Sequence, residues 1–223
     1  MMTNLFSAFD PATSTKMSMN WMSSLTSFSL IPLLYWTLPN RINIIIMMMS
    51  NKLHEEFKLL LGIKSMGMTL MMIALFNLIF TNNILGLLPY IFTSSSHLIF
   101  SLTLAMPLWV SIMLFGWIKK TNNMFAHLVP SGTPTVLMPF MVIIETISNL
   151  IRPGSLAVRL TANMIAGHLL MSLLGNNTMT AQSVMIPLIM MIQMMLMLFE
   201  TAVAVIQAYV FSVLSTLYTS EVI

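Results

Sequence analysis

Three observations predict an all-α integral membrane fold: charge is scarce, several apolar runs are long enough to cross a bilayer, and the last two are far longer than one crossing needs. Hydrophobic residues make up 57% of the chain and charged residues 7%. A soluble domain carries about a quarter charged residues, so this chain has too few to cover a water-facing surface. Lipid has to be its main solvent.

The elements follow in order. A hydrocarbon core about 30 Å thick takes roughly 20 apolar residues per helix, and the runs at 17–38, 68–88 and 97–118 supply three ordinary spans. Between the first two, "RINIIIMMMSNKLHEEFKLLLGIKS" mixes Ile and Met with Arg41, Lys52, Glu55, Glu56, Lys58 and Lys64 at helical spacing. Residues 41–66 therefore predict an amphipathic helix lying on the membrane surface. After Lys119 and Lys120, "TNNMFAHLVPSGTP" reads as a polar connector, and Thr133 followed by Pro134 suits an N-cap and first helical position. The next turn-rich stretch is "GNNTMTAQS", so one helix is expected over 134–174, about 60 Å long at 1.5 Å per residue. The last run, 184–218, gives about 52 Å of helix. Holding it within the hydrocarbon core requires a tilt of roughly 55°.

The chain is thus read as a single membrane domain, residues 1–223, with five membrane-crossing helices plus one amphipathic surface helix. The last two helices form a long, steeply inclined hairpin, with kinks expected at Pro139, Pro153 and Pro187. If the spans alternate, Arg41, Lys52, Lys58, Lys64, Lys119 and Lys120 fall on one side and only Lys16 on the other. The basic side is the inside, which places the N-terminus outside and the C-terminus inside.

Composition excludes several classes. Nine Lys and Arg against six acids give a net charge of +3, too dispersed for a nucleic-acid footprint. With no cysteine there is no disulfide framework, thiolate metal site or thiol nucleophile. The start "MMTNLFSAFDPATSTK" lacks a basic region ahead of an apolar core, so a cleaved leader is not expected. Met, with 26 residues, is read as packing filler and code bias. No nucleophile elbow or Gly-rich phosphate loop occurs, and "HEEF" at His54 has no second histidine one turn on. No cofactor or metal is expected. His54, His97 and His127 are read as interfacial side chains, and the "NNT" at Asn176 as an incidental sequon.

What remains is a small set of polar groups inside apolar helices. A charged side chain at a helix centre in the bilayer costs about 2.5 to 3.5 kcal/mol. At about 100° per residue from Arg159, Arg152 falls near 20°, Glu145 and Asn163 near 40°, and His168 on the opposite face. In the final helix Gln193, Glu200 and Gln207 recur every seven residues, and Glu221 continues the heptad. Such groups can simply pair across the hairpin, His168 with Glu200 for instance, and fix helix register. Arg159 is harder to explain that way, because guanidinium stays protonated in any local field and a neutral donor would hold helices together at lower cost. A fixed positive charge beside titratable Glu and His residues fits a proton path: carboxyl and imidazole carry the proton, and arginine blocks a direct short circuit.

The stretch "PFMVIIETISNLIRPGSLAVRLTANMIAGHLL", the closing "AVAVIQAYVFSVLSTLY" and the opening "MMTNLFSAFDP" resemble subunit a of the F-type ATP synthases in its animal mitochondrial form, and the likeness runs along the whole chain. The resemblance implies a non-catalytic, proton-conducting stator subunit of the mitochondrial inner membrane. It would pack against a ring of c subunits and contact other membrane-sector and peripheral-stalk subunits, passing protons through two offset half-channels. It also implies that Arg159 faces the ring's carboxylate with Asn163 in support. His168 and Glu200 would form an exchangeable relay in the half-channel opening outside, with Gln207 near Arg159. Glu145 would be the acid of the matrix-side path, and Glu221 stands where relatives often carry aspartate. No role follows for Arg152. Two other readings use the same residues: a secondary transporter or redox-complex subunit binding an ion, for which internal repeats and paired broken helices are missing, and an assembly scaffold whose polar stripes only set register.

Overall fold

The computed structural model describes residues 5–31, 38–62, 67–129 and 134–222. Among these residues every regular element is a helix, and four helices are long and apolar enough to cross a membrane. In order they are a short α1 (Ser23–Leu30), α2 (Arg41–Leu61), α3 (Met68–Leu87), α4 (Leu98–Lys119), a short α5 (Thr121–Leu128), α6 (Met138–Thr180) and α7 (Ile186–Val222). The four spanning helices are α3, α4, α6 and α7.

The first apolar run is less regular than expected. A 3-10 turn at Met19–Met22 leads into α1, which stops at Leu30 with Ile31 extended. The reason is in the sequence: Ile31 precedes Pro32, and a proline ring clashes with an α-helical residue before it. The remainder of the expected 17–38 span includes 32–37, outside the described residues, as are Thr133, proposed as an N-cap, and Lys64 at the end of the expected surface helix.

α2 ends at Gly62, whose φ of 71° with extended ψ is a backbone conformation that glycine, lacking Cβ, adopts without strain. Leu53, Phe57 and Leu61 recur every fourth residue and are buried against α3 and α7. The amphipathic helix thus lays its apolar stripe on the bundle, and its Glu56 accepts a hydrogen bond from the Tyr209 hydroxyl of α7 at 3.1 Å. The connector expected after Lys120 contains α5, which folds back so that Met124 covers Gly116 of α4; a methyl there would overlap Met124 and Val222.

The two long helices depart from expectation at their ends. α6 begins at Met138, after a 3-10 turn, and continues through Gly175, Asn176 and Asn177 to Thr180. α7 runs from Ile186 to Val222. Pro139 and Pro187 sit in the first turns of α6 and α7 rather than kinking them, since a missing N–H is harmless where no helical partner exists. Pro153 lies inside α6, and the helix is continuous through it. At 1.5 Å per residue α6 is about 64 Å long and α7 about 55 Å.

The tightest packing is between α3 and α7. α7 presents Ala204, Ala208, Ser212, Ser215, Thr216 and Thr219, all buried and recurring at helical spacing along one side. Small side chains let helix backbones approach where lipid gives no hydrophobic drive to association. The hydroxyls cost little here, because Ser212, Ser215, Thr216 and Thr219 each donate to the carbonyl three residues back, at 2.7 to 2.8 Å. Across the seam Asn83 donates to the Ala204 carbonyl at 3.4 Å and Ser215 to the Met72 sulfur at 3.1 Å. Phe57, Met72, Ile79, Leu160 and Phe211 fill the core between α2, α3, α6 and α7.

Ala208 is fully buried in this seam, so Ala208→Leu is expected to lower stability by about 1 to 3 kcal/mol through overpacking. Leu59→Ala, at a position 85% exposed, should change it by less than about 0.5 kcal/mol. Thermal midpoints of the two purified variants in matched detergent check the contrast.

Candidate functional site

α6 and α7 form an antiparallel pair. Counted from the hairpin end, Arg159 on α6 and Gln207 on α7 lie at the same depth, about 31 Å; His168 and Glu200 lie at about 18 and 21 Å, and Glu145 and Glu221 at about 52 Å. Three polar levels are stacked along the hairpin.

At the middle level α6 buries Leu156, Ala157, Leu160, Thr161 and Met164 against its neighbours. Arg159 and Asn163 fall on the other side and are exposed. Val158 beside them on α6 is exposed as well, and Leu198, Phe199, Val205 and Ile206 are exposed along α7. Among the described residues Arg159 has no hydrogen bond or ion pair. Gln207 is half-buried at the same level.

At the level nearer the hairpin end, Glu200 is buried at 7% exposure and seats its carboxylate against Gly167, where a methyl would overlap it. Neither carboxylate oxygen has a hydrogen-bond partner among the described residues, and neither does the buried Nε2 of His168. The direct His168–Glu200 pairing considered from the sequence is therefore not formed. His168 turns instead toward a cleft of about 940 Å³, where Phe9 meets its ring edge-on with centroids 6.2 Å apart. Gln193 lines the same cleft. Glycine at 167 is what admits the glutamate between the two helices.

At the far level Arg152, given no role from the sequence, is the hub. Its guanidinium donates to Glu145 on its own helix at 3.4 Å and to Glu221 on α7, and stacks 4.9 Å from the centre of the Tyr218 ring. One cation thus joins both acids and closes the open end of the hairpin. The shared helical face of Glu145 and Arg152, seven residues apart, was the sequence signal for half of this cluster; Glu221 and Tyr218 come from a helix whose register only packing sets.

The family model described as ATP synthase A chain matches residues 2–220. This chain belongs to that family. It is 61% identical over 225 residues to ATP synthase subunit a of Aedes aegypti, and 57% identical to the subunits a of Drosophila melanogaster, over 223 residues, and Locusta migratoria, over 224. In each comparison the whole of both chains is covered. The family and its apolar helices make this a multi-pass membrane protein of ATP synthesis and proton transport.

Gly167→Ala should push the Glu200 carboxylate out of its seat while leaving the helices helical. The expected result is a loss of proton flux of about 10- to 100-fold in a complex that still assembles, measured as ATP-driven pumping in reconstituted vesicles.

Proposed function

We propose that this chain is the proton-conducting stator subunit of the F-type ATP synthase membrane sector, seated in the mitochondrial inner membrane. Its N-terminus lies in the intermembrane space and its C-terminus in the matrix. In this reading the segment around α1 completes five crossings, α2 rests at the membrane surface, and α6 and α7 lie steeply inclined, which fits helices of about 64 and 55 Å to a core of about 30 Å. The partners are a ring of c subunits, other membrane-sector and peripheral-stalk subunits, and lipid.

The observation that carries the reading is Arg159: a permanent cation, unpaired among the described residues, on the side of α6 that the rest of the chain leaves exposed. A charge so placed needs a counter-charge from outside the chain, because a bare ion in hydrocarbon costs several kcal/mol. The family resemblance supplies one in the carboxylates of the ring.

The mechanism follows from electrostatics. A ring carboxylate opposite Arg159 is stabilised in its ionised form, and it enters lipid only after taking a proton. The outer half-path runs from the cleft to His168, on to Glu200 and toward Gln207 and Asn163. The matrix half-path leaves through Glu145 and Glu221. Arg159 stands between the two and repels a proton that would pass directly. A proton must ride the ring from one half-path to the other, and each crossing releases about 2.3 kcal/mol per 100 mV. Rotation is thereby coupled to flow.

Arg159→Ala is expected to leave a complex that assembles and has lost coupled, ATP-driven pumping. Normal pumping by that assembled variant would overturn the mechanism and leave the polar levels as helix glue. Glu200→Gln, which keeps size and hydrogen bonding but cannot ionise, should lower flux by at least about 10-fold in the same vesicle assay.

A further inference from the structure

The chain has six acidic residues, and five have been placed. Glu55 and Glu56 lie on α2, Glu145 and Glu221 meet Arg152, and Glu200 is buried between α6 and α7. The sixth, Asp10, lies far from all of these in sequence and lines the cleft into which His168 faces.

Its surroundings are built rather than frayed. A 3-10 turn at Leu5–Phe9 precedes it, Pro11 follows it, and its Oδ1 accepts the Ala12 N–H at 3.0 Å. The Asn20 side-chain amide donates to the Asp10 carbonyl at 3.1 Å, tying the segment to the turn before α1. Phe9, immediately before it, is the residue packed edge-on against the His168 ring. The same stretch of chain therefore seals one side of the imidazole and presents a carboxylate to the cleft beside it. Among the described residues the titratable groups on the cleft are Asp10, Tyr90 from the α3–α4 connection and His168 from α6; α7 contributes Gln193 and no charge, and no described Lys or Arg lines it. Lys16 lies further along the N-terminal segment and is exposed.

We propose that Leu5–Ala12 is a wall of the outer half-path and that Asp10 is its proton-collecting carboxylate, capturing protons from the outer aqueous phase and passing them across the cleft to His168. The proposal rests on the half-path reading above and adds its entrance. Free protons are scarce near neutral pH, so a path fed by diffusion alone is limited by capture. A fixed negative charge at a cleft mouth raises the local cation concentration and the rate of encounter. A proton from the outer phase neutralises the carboxylate and then passes, through water in the cleft, to the imidazole, which becomes cationic and leaves the carboxylate ionised for the next capture.

The test uses the assembled complex in vesicles with the outer pH varied and ATP synthesis read at constant driving force. Asp10→Asn keeps the oxygen that accepts the Ala12 N–H and removes the charge. It is expected to lower the rate by about 3- to 10-fold at alkaline outer pH, with the loss shrinking as the outer pH falls, while Asp10→Glu retains most of the wild-type rate. No loss at any pH, or a loss of equal size at every pH, would overturn the proposal, the second outcome marking Asp10 as a structural tie. Arg159→Ala, measured alongside, separates the two readings: if it abolishes coupling while Asp10→Asn behaves as wild type, the entrance fails and the half-path reading stands. Coupled synthesis by Arg159→Ala would remove the reading on which the entrance depends.

Discussion

A polar group in hydrocarbon has to be met by protein, since no water is present to meet it. That constraint organises the whole molecule. It makes every described span a helix, it turns the α7 hydroxyls back onto their own carbonyls, and it confines ionisable side chains to three levels of the α6–α7 hairpin. Where the constraint is met within the chain, charges are paired: Arg152 joins Glu145, Glu221 and the Tyr218 ring. Where it is left unmet, at Arg159 and at Glu200, the chain is incomplete and its chemistry faces outward or toward a cleft.

Packing makes these exceptions tolerable. α7 is held on α3 by a seam of small residues, so it can turn a second face toward α6 and a third away from the chain. α6 in turn buries one face and leaves Arg159 and Asn163 exposed on the opposite one. Gly167 admits the Glu200 carboxylate between the helices, so the buried acid sits close to the level of His168. The hairpin is therefore packed along its seams and exposed at Arg159 and Asn163.

Much of this was legible in sequence because hydrocarbon is an exacting solvent. Apolar runs of 20 residues or more, a few charges within them and the heptad of Gln193, Glu200 and Gln207 can be read one residue at a time. The errors arose where a local rule depends on position. Pro139 and Pro187 look like kinks until the helix start is known to fall on them, and Gly175 to Asn177 look like a terminus although α6 runs on through them. α5 escaped notice because its single turn of packing, Met124 over Gly116, joins residues whose contact no periodicity reveals.

The sequence by itself determined the solvent, the helical class, the family likeness and the identity of the costly polar residues, because each follows from the transfer energy of individual side chains. Tertiary structure alone decided which of those residues meet. It separated His168 from Glu200, joined Arg152 to an acid on another helix, and brought Phe9 and Asp10 to a cleft more than 150 residues away in sequence. Contacts of that kind depend on helix rotation and register, which are set by the summed packing of small residues along whole seams. No single position carries that information.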